Sequence, residues 1–284
     1  MIKFWILAGV LLLALLVSSC GGLAFTIANT PALFGDFERR ADLAYGTHER
    51  QRLDVYTPKD AANRPIIVFW YGGSWEKGRK EQYRFVGAAL AEAGYVAVLP
   101  DYRLYPEVRF PGFVDDGVQA LAWVVSNARE LGGDPARIYL AGHSAGAHQA
   151  AMVAYDAARL ENAGLKGVVR GFIGLSGPYA LEPDNDTLRT IFAAPHGFGD
   201  WQPARLVKPG APPALLLHGA ADEVVLARHS QVMADSLVAA GVPVTLRLYP
   251  ERGHRDTVSA LAAAAPSKLP VLDEIKRFLD VPPP

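Results

Sequence analysis

The chain has 284 residues, half of them hydrophobic, and 28 lysines and arginines nearly balance 29 aspartates and glutamates for a formal net charge of −1. That length and apolar content suit one large α/β domain with a substantial core. The charge balance excludes the basic field that draws nucleic acid, so no nucleic-acid partner is expected and small-molecule chemistry is favoured.

The amino terminus stands apart. Lys3 precedes an unbroken apolar run, Phe4 to Val17, followed by Ser18-Ser19-Cys20-Gly21-Gly22. Residues 1–19 are expected to be an export signal and 20–40 a tether. A bilayer-spanning helix needs about 20 apolar residues, so the run serves as an uncleaved anchor only if it continues through Cys20 into Leu23 to Ala28. Leu16-Val17-Ser18-Ser19-Cys20 resembles a bacterial lipoprotein box, which implies lipid attachment at Cys20. Cys20 is also the sole cysteine, which excludes an internal disulfide. The expectation is an exported protein held at the membrane of a bacterial envelope, on its periplasmic side, by lipid on Cys20 or by an N-terminal helix. Simple secretion is the remaining alternative.

Residues 41–284 read as a single domain. Leu53-Asp54-Val55-Tyr56 alternates like a half-buried strand, with Leu43-Ala44-Tyr45 as its hairpin partner. The runs 65–70, 95–99, 138–141, 171–175 and 214–217 are short, apolar and unalternating, as strands covered on both faces are. Helices are predicted over 83–93, 114–131, the stretch after residue 146, and 230–240, three of them stopping at Gly94, Gly132 and Gly241. A last strand, Val244 to Tyr249, and a last helix, Leu272 to Leu279, complete an alternation that implies an α/β fold, a mainly parallel sheet with helices on both faces. Between 178 and 213 the alternation lapses into a polar, Pro-rich stretch carrying Phe192, Phe198 and Trp201. Its length suits a lid or binding insertion, or a solvated excursion pinned by aromatics.

Gly142-His143-Ser144-Ala145-Gly146 joins a predicted strand to a predicted helix. A serine on such a turn stands exposed, and the flanking glycines let strand and helix pass closely. A serine hydroxyl needs a base to take its proton and an acid to hold that base. Asp222 lies just beyond strand 214–217 and His254 just beyond strand 244–249, so Ser144, Asp222 and His254 all fall at carboxyl ends of strands, where open sheets place ligands. The expected roles are nucleophile, orienting acid and general base. Asp184, Asp186, Asp200 and Glu223 are alternative acids. His218 is expected to fix its loop, Asp101 and Arg103 to bond turns near the site, and Trp75 to pack more than to carry substrate. No metal is expected, because His143 and His148 lack the i, i+4 spacing of a helical zinc site, and no cofactor is implied.

Gly72-Gly73-Ser74-Trp75, the segment Asp101 to Pro111, Gly133-Asp134-Pro135-Ala136-Arg137-Ile138, the serine turn, His218-Gly219 with Asp222, and Gly253-His254 together make the chain resemble an α/β-hydrolase of the hormone-sensitive-lipase-like carboxylesterase group. The resemblance implies an α/β-hydrolase fold, hydrolysis of small acyl esters through an acyl-enzyme at Ser144, and oxyanion donors in the amides of Gly73, Ser74 and Ala145. Tyr71 stands where the group usually carries histidine before Gly-Gly, which leaves the brace of that turn to be found. Kynurenine formamidases share the Gly-Gly-x-Trp turn, so an arylformamidase is an alternative, weighed down by an export signal. A catalytically silent envelope-binding lipoprotein is the alternative from outside enzymology.

Overall fold

The computed structural model describes residues 25–197, 199–263 and 268–280. The expected export signal and Cys20 lie outside the described residues. Among the described residues no helix is long and apolar enough to cross a membrane.

Eight strands form one sheet: β1 (Phe37–Ala44), β2 (Arg52–Pro58), β3 (Arg64–Trp70), β4 (Val96–Pro100), β5 (Gly133–His143), β6 (Val169–Leu175), β7 (Ala214–Gly219) and β8 (Val244–Tyr249). Their spatial order is β1-β2-β4-β3-β5-β6-β7-β8. β1 and β2, and β2 and β4, pair antiparallel; every other neighbour pair is parallel. The unalternating runs are the central strands, with Ile66, Ile67, Val68, Leu140, Ile173 and Leu216 fully buried. Helices on both faces remove that apolar surface from water, and the order places an α/β-hydrolase sheet under the serine turn.

The helices in chain order are α1 (Arg84–Glu92), α2 (Gly112–Asn127), α3 (Ala145–Tyr155), α4 (Ala157–Asn162), α5 (Asp186–Ile191), α6 (Pro203–Leu206), α7 (Arg228–Ala239), α8 (Asp256–Ser259) and α9 (Val271–Asp280). α2 stops four residues short of the expected Leu131. Ser126 Oγ and Asn127 Nδ2 bond back to the carbonyls of Ala122 and Trp123 at 3.0 and 2.7 Å, a local alternative that competes with continuing the ladder.

The start of the domain also differs from the sequence expectation. Residues 37–40, assigned to the tether, are the first half of β1, pairing Phe37 through Arg40 with Pro58 through Val55. The run Glu38-Arg39-Arg40 hid the strand because an edge strand keeps charges outward; Arg39 reaches across to Asp54 at 2.6 Å. Residues 25–33 are also docked: Asn29 Nδ2 donates to the carbonyl of Glu81 at 2.9 Å, and its Oδ1 accepts from the Phe85 amide at 2.9 Å. The 178–213 segment is a packed cover. Tyr179, Ile191, Phe192, Trp201 and Ala204 are buried, while the stretches 182–186, 194–197 and 208–210 are largely exposed.

Candidate active site

β5 runs into the turn that carries Ser144, whose φ of 57° and ψ of −126° lie outside the ordinary regions. Such a residue costs roughly 1–3 kcal/mol and persists only where its surroundings impose it. Here the Ser144 amide donates to the Leu175 carbonyl at 2.9 Å, and the Ser144 carbonyl accepts from His148 N at 3.1 Å. Gly146 is forced by space, since a Cβ there would overlap the carbonyls of Trp70 and Tyr71. The turn therefore holds the hydroxyl up from the sheet edge because strand, helix and the end of β3 all meet beneath it.

Three side chains from three loops join in one line. Ser144 Oγ lies 2.8 Å from His254 Nε2, and His254 Nδ1 lies 2.8 Å from Asp222 Oδ2. With Nδ1–H donating to the carboxylate, Nε2 is left as the acceptor for the serine proton. Asp222 is 3% exposed. Its Oδ1 accepts from the amides of Val224 and Val225 at 2.9 and 2.8 Å, and its Oδ2 from His218 Nε2 at 3.1 Å. Burial works to raise this carboxyl, but the hydrogen bonds from His218, His254 and Val225 outweigh it and hold it well below the usual carboxylate range. None of the alternative acids has this setting: Asp184 accepts from Asn185, Asp186 from Arg189, and Asp200 from the Gly197 amide.

His218 is more than a loop brace. Its Nε2 also sits 2.8 Å from the Val225 carbonyl, and its Nδ1 2.7 Å from Ser230 Oγ. Two acceptors at Nε2 fix the proton there, so His218 is a second donor to Asp222. His143 was missed as a contributor. Its Nε2 donates to the His254 carbonyl at 3.0 Å, and its ring lies 4.9 Å from the His254 ring. Burial, with the nearby His254 second, pushes its pKa down to about 3, so it is a neutral donor at ordinary pH. Its position between Gly142 and Ser144 is the only sequence signal that could have pointed to it.

The turn after β3 rests directly on the serine. A Cβ on Gly72 would stand 2.9 Å from Ser144 Cβ and 3.0 Å from the His143 carbonyl. Gly73 has φ of 146°, and Ser74 and Trp75 follow at 55° and 60°. The Gly73 carbonyl accepts from Glu76 and Lys77, and among the described residues the amides of Gly73 and Ser74 meet no backbone carbonyl. The Ala145 amide is one of the first four of α3, which have no acceptor within the helix. Tyr71, in the position of the group's usual histidine, is buried and stacked 4.9 Å from Tyr102 and 5.8 Å from Tyr83. Its hydroxyl accepts from Arg50 at 2.8 Å, and the Gly72 amide interacts with the Tyr83 hydroxyl. The turn's brace is thus a tyrosine stack that also bonds it, the Tyr102 hydroxyl donating to the Tyr71 carbonyl at 3.0 Å, in place of an imidazole.

Trp75 is 3% exposed, edge-on to Phe192 at 4.9 Å and to His148 at 5.1 Å, which is the packing role expected of it. Asp101 accepts from the Lys80 amide at 2.8 Å, and Arg103 pairs with Asp116 at 2.6 Å. Both hold turns away from the Ser144 hydroxyl. Among the described residues no group of three metal-ligating side chains gathers.

Residues 53–172 match the family described as BD-FAE, and residues 113–278 match the prolyl oligopeptidase family. Isoprenylcysteine alpha-carbonyl methylesterase of Arabidopsis thaliana is 33% identical over 244 residues, 76% of this chain and 56% of that protein. Esterase LipC of Mycobacterium tuberculosis is 32% identical over 227 residues, 72% of this chain and 56% of that protein. The chain spans just over half the length of these curated relatives. Among solved structures, esterase 2 of Thermogutta terrifontis superposes with a TM-score of 0.72 at 26% identity, covering 86% of this chain and 94% of that one. Esterases as relatives bear out the resemblance read from the motifs. With a family match over more than half of its residues, the chain belongs to the prolyl oligopeptidase family, and its fold is that of an α/β-hydrolase.

Proposed function

We propose that the protein is a carboxylesterase-type serine hydrolase that cleaves small acyl esters through an acyl-enzyme at Ser144. The observation that carries this reading is the unbroken line from Ser144 Oγ through His254 to Asp222, 2.8 Å at each junction. Ser144 Oγ attacks the ester carbonyl carbon as its proton passes to His254 Nε2. The carbonyl oxygen takes the electron pair, with the amides of Gly73, Ser74 and Ala145 as its donors. His254 then returns the proton to the departing alkoxide as the C–O bond breaks. Water, deprotonated by His254, attacks the acyl carbon, and Ser144 leaves with that proton while the carboxylic acid departs. Asp222 stays ionised throughout and stabilises the imidazolium.

Small acyl groups are favoured because Trp75, Phe110, Phe113 and Phe192 fill the space beside the turn in mutual contact. The silent-lipoprotein alternative loses ground, since a binding scaffold has no use for an aligned acid and base. We also propose that residues 1–19 direct export and that Cys20 carries the lipid that holds the domain at a bacterial envelope; the lipobox sequence alone supports this. Fatty-acid labelling that persists in Cys20→Ser would remove that part.

The test of the activity is hydrolysis of a p-nitrophenyl ester series by the purified protein beside Ser144→Ala. Turnover should fall on the order of 10⁶-fold in the variant with the fold intact. Equal rates in both would overturn the reading, and a strong preference for formyl-kynurenine over every ester would move it to the formamidase.

A further inference from the structure

The segment that follows the amino terminus has two faces. Toward the domain, Phe25 packs its ring 5.6 Å from Tyr83, and Asn29 bonds three backbone groups: the carbonyls of Glu81 and Gln82 and the amide of Phe85. Away from it, Ile27, Leu33 and Phe34 are 57, 65 and 84% exposed. Large apolar side chains scattered singly on a surface need no explanation. Three of them within eight residues, on a segment pinned rigidly to the domain, are a patch.

We propose that this patch is a lipid-contacting surface that seats the domain on the bilayer by the side of the sheet, away from the edge that carries Ser144. The proposal rests on the anchoring reading above. The occupant is argued from the chain itself. The apolar run ends at Val17, eight residues before Phe25. A bilayer that holds that run or a lipid on Cys20 therefore lies within reach of the patch, because fully extended chain covers about 3.5 Å per residue. Stable interfacial attachment takes more than one signal, and a docked apolar patch supplies a second. A second copy of the chain fits less well. Three side chains offer a few hundred Å² at most, against roughly 800 Å² per partner in a stable interface.

The patch and the hydrolytic edge of the sheet are apart. Phe37, three residues after Phe34, pairs with Pro58 at the end of β2 opposite Arg52, whose carbonyl accepts from the Asp101 amide at the catalytic edge, and a Cβ on Gly35 would meet Glu92 at the end of α1. A membrane against Phe34 therefore leaves the carboxyl ends of the strands, and with them Ser144, clear of the bilayer.

The test uses the full chain reconstituted in phosphatidylglycerol–phosphatidylcholine vesicles. A thiol fluorophore is placed at Phe34→Cys and, as control, at Val238→Cys, an exposed position on α7; the parent chain with its lone Cys20 is the labelling blank. Nitroxide-bearing lipid should quench the label at 34 at least five-fold more than the label at 238. Equal quenching in a chain that floats with the vesicles would overturn the proposal and leave the anchoring reading standing. A chain that does not float would overturn both. Shielding at 34 without lipid, together with a doubled mass, would assign the patch to a second copy and overturn it as well. A label at Ile27→Cys, also exposed, should be quenched at least five-fold less when Leu33→Ser/Phe34→Ser is added, while p-nitrophenyl acetate, free in water, is hydrolysed at the parent rate. Quenching unchanged by the paired variant would overturn the proposal.

Discussion

The two flanks of Ser144 are held by different forces. On one flank, the loops after β7 and β8 are tied by directed bonds: Asp222 accepts from two amides and two imidazoles, and His254 reaches from it to the serine. On the other, the turn after β3 lies on a packed shell of Trp75, Phe110, Phe113 and Phe192 with the buried ring of His148 among them. The difference inverts the intuition that charge is what acid attacks. Asp222 is held ionised below the usual carboxylate range, so its contribution is complete above about pH 4, its unfolded value, and fades only as pH falls through the lower folded value. His148 is buried and its pKa is pushed down by that burial to about 4. Its contribution is complete above about pH 6.5 and is lost as pH falls from there toward 4. Acid sensitivity on both flanks lies in buried neutral imidazoles, His148 here and His143 beside His254, and not in the carboxylate.

The largest effect comes from breaking the bonded flank at its centre. In Asp222→Asn the side-chain oxygen stays with the amides of Val224 and Val225, which leaves an NH₂ facing His254 Nδ1 and His218 Nε2. His254 must then accept at Nδ1 and carry its proton on Nε2, toward the serine, where it cannot act as a base. Turnover of a p-nitrophenyl ester should drop about 10⁴-fold with the melting temperature at pH 7 little changed, as loss of the correct tautomer does in serine proteases. A drop below ten-fold would mean that the directed bonds on this flank do not set the base.

The packed flank is broken by pH instead. His148 Nε2 faces the Trp201 carbonyl at 2.7 Å, a bond that a glutamine amide can keep. At pH 5 the parent should have lost about 2 kcal/mol of stability through this one group, from about 1.4 kcal/mol per pH unit below pH 6.5. Denaturant titration of His148→Gln at pH 7 and pH 5 should show that part of the pH dependence removed. A pH dependence in His148→Gln equal to the parent's would refute this role of the buried imidazole.

How much of this was legible in the sequence follows the same division. The bonded flank was readable because its residues are polar, few and placed at strand ends: Ser144, Asp222 and His254 are found together as the order of the chain implied. The sheet was readable because fully buried parallel strands leave apolar runs. β1 was half missed because an edge strand needs no such run. The packed flank was not readable, since the contacts of Trp75 with Phe113 and Phe192 and of Phe113 with Phe192 join segments 38 to 117 residues apart and leave no spacing in the sequence. His143 was missed for a related reason: its partner is a backbone carbonyl, and every residue has one.

The smallest effect tests the residue at the seam of the two flanks. Tyr71 holds its turn by two stacked rings and by one hydroxyl that meets Arg50. Tyr71→Phe removes the hydroxyl and keeps the stack. Arg50 retains the carbonyls of Tyr102 and Gly78, each at 2.8 Å, and Asp101, which the same hydroxyl bonds, retains the Lys80 amide, so neither charge is stranded and the stability lost should be about 1–3 kcal/mol, the worth of a hydrogen bond to a charged group. If packing alone fixes the amides of Gly73 and Ser74, kcat should change less than about three-fold. Misplacing one oxyanion donor costs about 10²-fold or more, so a fall of that size in Tyr71→Phe would show that a directed bond braces this turn too, in the manner of the histidine it replaces. The two flanks would then be alike in kind, with Arg50 serving the turn as His218 serves Asp222.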